Sequence, residues 1–248
     1  MFIFDKNFLM DKLGIRLISV DVDGTLTDPG GTINTEAIDL LREIKSMGVR
    51  VFLNTGRSVW ENYTLSHFLG LSEFGISENG GVIFYRHPMN VKVLGDISDA
   101  YQAYEILAKK MEGVIINQRM PRLTEILLER NIDINEANKI LQEYGINAKI
   151  VDSGYAFHLS SRHVNKGYAL RVLCQALGID KNDVASIGDS EVDIPMFEAS
   201  GISFWVSKNM RILQDKGLSD KIIVSPAAGP QGVIYAIDWL IKNDKLSV

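Results

Sequence analysis

The sequence predicts an α/β fold: a doubly wound parallel-sheet, Rossmann-like core into which a smaller α+β unit is inserted. Three observations predict it. Over residues 17–84, short apolar runs end in polar turns and alternate with amphipathic helical stretches, an order that implies parallel strands with helices on both faces. The same rhythm returns over 166–242. Between them the chain changes to short strand patterns around two helical ones. The expected division is a discontinuous core of 1–84 and 160–248, with 85–159 as the insertion.

Each element has a local reason. Leu17-Ile18-Ser19-Val20 runs into Asp21-Val22-Asp23-Gly24-Thr25; a short apolar run ended by a glycine turn reads as a buried strand. Alternation along that strand starts Asp21 and Asp23 on the same side. After the loop Asp28-Pro29-Gly30-Gly31, Asn34 or Thr35 caps a helix with Ile38, Leu41, Ile44 and Met47 on one stripe and Gly48 at its end. A strand over 49–54 ends at Thr55-Gly56-Arg57, a helix covers 59–69, and Glu78-Asn79-Gly80-Gly81, either a plain hairpin turn or one that faces the active site, precedes a strand over 82–85. In the insertion the patterns predict a helix over 99–111, a short strand over 113–117 and the basic turn Arg119-Met120-Pro121-Arg122. A strand over 124–129 follows, then a helix over 135–144 capped by Asn135 and stopped by Gly145, and strands over 147–152 and 155–160. The α/β rhythm resumes with a helix over 166–177 ended by Gly178, then a strand over 183–187 entering Gly188-Asp189. A short helix over 194–199, strands over 201–206 and 221–224, and an amphipathic helix over 232–242 complete the chain.

Composition narrows the function classes. The 248 residues are 46% hydrophobic and 23% charged, ordinary for a globular protein. A net charge of −5 without a dense Lys/Arg block weighs against nucleic acid or an anionic membrane as partner. No run reaches the ~18 apolar residues a membrane span needs. The apolar stretch over 1–12 is interrupted by Asp5 and Lys6 and lacks a cleavage site, so a cytoplasmic protein is expected. The apolar residues of that extension and of the tail helix are compatible with a homodimer. The single cysteine, Cys174, lies in an apolar helical pattern and reads as a buried structural thiol.

Parallel strands carry their carboxyl ends to one edge of the sheet, where ligands bind. Asp21 with Asp23, Thr55, Lys166, and Asp189 with Asp193 all fall at strand ends or just before helices, so they can converge. Carboxylates gathered in one cleft repel unless a cation sits among them, and Mg²⁺ suits an all-oxygen set. A carboxylate beside Mg²⁺ is a good nucleophile toward phosphorus. A hydroxyl, a backbone turn and a lysine can hold the phosphoryl oxygens. Plainer readings stand beside these. Thr55 could cap the helix that follows, Lys166 could be a surface lysine, and Asp193 could be a carboxylate favoured by the helix dipole. Arg119 and Arg122 could clamp a substrate carboxylate, but an exposed basic turn is the expectation. The four histidines show no metal-binding spacing and are assigned no role.

The order of these motifs resembles the haloacid dehalogenase superfamily of phosphohydrolases. Asp21-x-Asp23-Gly-Thr25 matches the first motif, Thr55-Gly56-Arg57 the second, Lys166-Gly167 the third and Gly188-Asp189-x-x-x-Asp193 the fourth. The insertion resembles the α/β cap of the Cof-type subgroup. The stretch Val151-Asp152-Ser153-Gly154-Tyr155-Ala156-Phe157-His158-Leu159, followed by Val164-Asn165-Lys166-Gly167, looks like archaeal phosphoglycolate phosphatases. One position departs: Val192 stands where the subgroup commonly has Asn. The resemblance implies that Asp21 attacks phosphorus and Asp23 is the general acid and base. It implies that Thr55, Gly56 and Lys166 bind the phosphoryl group. Asp21, the Asp23 carbonyl, Asp189 and Asp193 would hold Mg²⁺. The implied activity is phosphomonoester hydrolysis on a small phosphorylated metabolite, 2-phosphoglycolate first, with a sugar phosphate or mannosyl-phosphoglycerate as alternatives. A receiver-type phospho-Asp switch is the rival from another class, but Asp23 would supply a hydrolytic catalyst that a stable switch does not want.

Overall fold

The computed structural model describes residues 14–117 and 120–246. In chain order the first half contains β1 (Leu17–Val20), α1 (Thr35–Ser46), β2 (Arg50–Leu53), α2 (Val59–Phe68), β3 (Phe74–Ser77), β4 (Val82–Tyr85), β5 (Asn90–Val93) and α3 (Ile97–Lys110). The second half contains β6 (Glu125–Leu128), α4 (Ile134–Glu143), β7 (Ala148–Asp152), β8 (Phe157–Ser161), α5 (Lys166–Leu177) and β9 (Val184–Gly188). It ends with α6 (Ile194–Glu198), β10 (Ile202–Trp205), α7 (Arg211–Asp215), β11 (Ile223–Val224) and α8 (Pro230–Lys242).

The core is a five-stranded parallel sheet in the order β11-β10-β9-β1-β2. Its register positions the site. Val20 pairs with both Leu53 and Ile187, so Asp21, Asn54 and Gly188 leave the sheet side by side. The strand segments are almost wholly buried because helices cover both faces. Val20 packs with Leu41, Ile44, Ile237 and Leu240 of α1 and α8. On the other face Leu17 and Phe52 pack with Leu170, Leu173, Met196 and Trp205. This is the doubly wound α/β architecture, and Cys174 is buried in its second layer.

Two antiparallel sheets complete the fold, β3-β4-β5 and β6-β8-β7. The second has its own apolar cluster, in which Leu107 of α3 and Leu141 of α4 pack against Ile126, Ile150 and Leu159.

The differences from the expected elements are local. The N-cap of α4 is Asp133, which accepts from the backbone N–H groups of Asn135 and Glu136. Both Asp and Asn cap well, so side-chain type alone does not separate the two positions. Over 113–117 there is no strand, only a bridge between Ile116 and Leu128. Strand β5 is new: its four residues are all exposed, so no buried face imposes the alternation by which a strand is recognised. The short α7 is also new. The tail helix α8 turns its apolar residues inward, with Ile234, Trp239 and Ile241 half-buried against the core, so it does not present the apolar surface expected for a second copy. The extension over 1–12 lies outside the described residues.

Candidate active site

The turn after β1 is shaped by Gly24. Its φ is +80°, and a Cβ there would sit 2.3 Å from Asp189 Oδ2. Both the left-handed conformation and the closeness of the approach demand glycine. The turn leaves Asp21 5% exposed, its N–H bonded to the Ile187 carbonyl at 3.0 Å. Thr25 Oγ1 lies 3.4 Å from Asp21 Oδ2 and 3.2 Å from Asp189 Oδ1. It therefore ties the first loop to the fourth.

Lys166 opens α5, where the Asn165 side chain accepts from the Tyr168 N–H. Its Nζ donates at 2.6 Å to Asp21 Oδ1 and at 2.6 Å to Asp193 Oδ1. Asp193 is held in turn: its Oδ2 accepts from the N–H groups of Asp189 and Ser190 and from Ser190 Oγ at 3.0–3.1 Å. These partners orient Asp193 with Val192 as its neighbour. Lys166 is 1% exposed, so its reading as a surface lysine is excluded.

The charges do not balance within the protein. Burial pushes the Asp21 carboxyl well above its ordinary range, against the pull of Lys166. Burial, with Asp193 beside it, pushes Asp189 up to about 7. Burial works against the Lys166 ammonium, but Asp193 and then Asp21 outweigh it and hold it above a lysine's ordinary value. One buried cation thus serves three carboxylates. Oxygens of Asp21, Asp189 and Asp193 lie within 4.8 Å of one another. An all-carboxylate set with an unmet negative charge fits a hard divalent cation. The Asp23 carboxylate is not in this group.

Protons and a divalent cation compete for such a cluster. A carboxyl raised in the folded state binds its proton more tightly than in the unfolded chain. In chelator, stability therefore falls as pH rises from the ordinary carboxyl range toward about 7, and a cation offsets the loss. We expect the Mg²⁺ or Mn²⁺ dissociation constant, measured by calorimetry, to rise about tenfold for each pH unit below about 7. Chelated protein should melt lower near pH 8 than near pH 6. A dissociation constant unchanged across that interval would contradict the assignment of the cluster.

The second loop joins the site through Arg57. Thr55 is 1% exposed and its Oγ1 accepts from the Arg57 N–H at 3.2 Å. The Arg57 guanidinium clamps Asp23, with Nη2 to Oδ1 at 2.6 Å and Nε to Oδ2 at 2.9 Å. Asp21 and Asp23 thus serve different partners, one a buried lysine and the other a half-exposed arginine pair. The structure joins Asp21, Lys166, Asp189 and Asp193 in direct contact, and links Asp23 to Thr55 and Gly56 through Arg57.

Arg122 is a correction. It is not an exposed basic turn: its side chain is 4% exposed and ion-paired to Glu125. Its Nη1 donates to the Gly56 carbonyl at 2.7 Å. Glu125 also lies 3.0 Å from His158 Nδ1, so His158 belongs to a buried hydrogen-bond network with Glu125 and Arg122. Arg119 lies outside the described residues. Thr25, Arg57 and Glu125 escaped sequence reasoning as site residues. Thr25 and Arg57 stood inside recognised motifs, whereas Glu125 left no signal in an apolar run. A cleft of about 680 Å³ is lined by Asn79, Lys149, Ser160, Asn165, Lys166 and Glu191 among others, and Lys166 is the one residue it shares with the acidic cluster and its lysine.

The site thus gathers a buried carboxylate held by a lysine, a second carboxylate two residues on, and an acidic cluster at the mouth of a parallel sheet. The chain belongs to the haloacid dehalogenase-like hydrolases, whose family profile matches residues 18–119 and 109–237. Membership in a hydrolase family sets aside the receiver-type switch. Its relatives include the phosphoglycolate phosphatase of Nitrosopumilus maritimus (strain SCM1), 34% identical over 226 residues, spanning 91% of this chain and 96% of the relative. That of Archaeoglobus fulgidus is 35% identical over 225 residues, with 91% and 96% covered. Among solved structures, Thermoplasma acidophilum 0175 superposes with a TM-score of 0.78 at 27% identity, covering 94% of this chain and 100% of that one. The sucrose-phosphatase from Synechocystis sp. PCC6803, solved with sucrose and phosphate, shares the fold at a TM-score of 0.74 and 20% identity, with 93% and 98% covered. Among the described residues no helix is long and apolar enough to cross a membrane.

Proposed function

We propose that this phosphoric monoester hydrolase converts 2-phosphoglycolate to glycolate and phosphate through an aspartyl-phosphate on Asp21. The observation that carries the chemistry is the buried Asp21 carboxylate, 2.6 Å from Lys166 Nζ, with Asp23 two residues further on. The ammonium opposes the effect of burial and favours the ionised nucleophile. An Asp21 oxygen attacks phosphorus in line, and the bond from phosphorus to the leaving oxygen breaks as Asp23 gives that oxygen its proton. Asp23 then takes a proton from water, which attacks the same phosphorus and frees Asp21. Such proton transfer contributes roughly 10²–10⁴-fold. The bidentate Arg57 holds Asp23 in place for both steps. Thr55, the Gly56 N–H and Lys166 hold the phosphoryl oxygens. Asp21, Asp189 and Asp193, with the Asp23 carbonyl, would hold Mg²⁺, which when bound neutralises phosphoryl charge and orients the ester. Residues 85–159 act as a cap on the core of 1–84 and 160–248, closing over the cleft and excluding bulk water.

The substrate rests on relatives that bear the name phosphoglycolate phosphatase and align over more than nine-tenths of this chain. The test is phosphate release with Mg²⁺ from 2-phosphoglycolate, phosphoglycerate, several sugar phosphates and a nitrophenyl ester. We expect kcat/KM for 2-phosphoglycolate to exceed that of every sugar phosphate by about tenfold or more, the effect of a well-placed polar contact, and EDTA to abolish release. Equal turnover of many esters would overturn the substrate and keep the chemistry. No release from any ester would overturn both.

A further inference from the structure

The second loop is held at three consecutive carbonyls. The Thr55 carbonyl accepts from the Asn79 N–H at 3.2 Å, and the Arg57 carbonyl from the Glu78 N–H at 2.9 Å. Both donors are backbone groups of the turn after β3. The carbonyl between them, that of Gly56, accepts instead from a side chain 66 residues further along the chain, Arg122 Nη1 at 2.7 Å. In a trans peptide the carbonyl and the next N–H point in opposite directions. Fixing the Gly56 carbonyl therefore aims the Arg57 N–H at Thr55 Oγ1, which accepts it at 3.2 Å. Arg57 then sends its guanidinium to both oxygens of Asp23. Arg122 is itself firmly set. Its side chain is 4% exposed and paired to Glu125, which is wholly buried. Glu125 lies 3.1 and 3.0 Å from His158 Nδ1 on β8. Burial works against the Glu125 carboxylate, but its partners His158 and Arg122 outweigh it and hold it below its ordinary range. Arg122 Nε has no partner, and buried ion pairs are weak sources of stability. Stability alone does not account for an arginine here.

We infer that Arg122 is a positioning residue: by holding the Gly56–Arg57 peptide it sets the Arg57 guanidinium and, through it, Asp23 for proton transfer to the leaving oxygen. The inference rests on the phosphatase reading above, in which Asp23 is the general acid. Arg122 touches the Gly56 carbonyl and Glu125, and acts on the reaction only through the loop. A residue from the segment between α3 and β6 thereby completes a loop that the parallel sheet carries. Displacements of well under an ångström matter at such a group, because proton transfer needs the donor within hydrogen-bond reach of the departing oxygen.

A plainer role would be to neutralise Glu125 and no more. Arg122→Met alone strands the Glu125 charge in the interior and puts folding at risk. Arg122→Met combined with Glu125→Gln removes both charges at once, and thermal unfolding on the same preparation checks the fold. The measurement is kcat/KM in Mg²⁺ for nitrophenyl phosphate and for the alkyl ester that the wild type turns over best. An alkoxide needs a proton to leave, whereas a nitrophenolate departs without one, so only the alkyl ester draws on the acid. The expected result is an alkyl-to-aryl ratio of kcat/KM that falls about tenfold in the paired variant, part of the roughly 10²–10⁴-fold that proton transfer supplies. In an Asp23→Asn background the paired substitution should lower the ratio no further, because the arginine acts through that carboxyl. A merely structural role lowers both rates together and leaves the ratio alone. Equal losses on the two esters, no loss on either, or a further fall in the Asp23→Asn background would each overturn the inference. Asp23→Asn by itself tests the reading beneath it. An unchanged ratio there overturns Asp23 as the acid and the inference with it. A lowered ratio there, with none in the paired variant, overturns the inference alone.

Discussion

Asp21→Asn is expected to abolish phosphate release, by about 10⁴-fold or more, as the loss of a covalent nucleophile does, while the protein stays folded. The fold survives because the substitution removes a charge that burial already disfavours. Lys166 keeps its 2.6 Å partner Asp193, so no lone ammonium is left inside. The amide is nearly isosteric and still accepts from Lys166 through its carbonyl oxygen. Kinetics and a thermal melt on the same preparation decide the matter. A melting temperature near that of wild type with no turnover assigns the loss to chemistry. Activity within tenfold of wild type would remove Asp21 from the role of nucleophile.

Lys166→Met should cost both activity and stability. Lys166 is the cation that touches Asp21 and Asp193, both almost wholly buried. Removing one partner of a buried ion pair leaves uncompensated charge and costs about 3–5 kcal/mol, here measured by denaturant unfolding in EDTA. The sign with pH follows from the carboxylates. Without the ammonium that opposes burial, Asp21 favours its protonated form more strongly, so the loss should deepen as pH rises. Adding Asp193→Asn to Lys166→Met should restore part of the stability, because the two residues share one interaction and their effects are not additive. A double variant as unstable as the sum of the single ones would show that the pair does not act as a unit. Phosphate release should be lost in both, since the same ammonium supports the nucleophile and the phosphoryl oxygens.

The fold was legible because its signals are local. Short strands such as Leu17–Val20, of four residues, and Val184–Gly188, of five, announce themselves by apolar runs cut off by glycine and acid. The candidate site was legible in the same places, since a parallel sheet delivers strand ends to one edge whatever the intervening chain does. Where the signal was not local, the reading failed. Strand β5 has no buried face to impose a pattern. Asp133 and Asn135 offer the same capping chemistry two residues apart.

The sequence by itself determined the α/β core and which carboxylates, lysine and threonine meet at its edge, because residue type and period are properties of short stretches. Only the tertiary structure decided what each polar group faces. Arg122 is buried because Glu125 and the Gly56 carbonyl, 66 residues away in sequence, receive it. Asp23 turns from Asp21 because Arg57 arrives from the second loop. The turn at Asn79 reads equally as a plain turn or one facing the site until Gly56, Thr124 and Asn165 close around its neighbourhood. Hydrogen bonding and charge act over a few ångströms in space, and the sequence separation of the partners carries no trace of that distance.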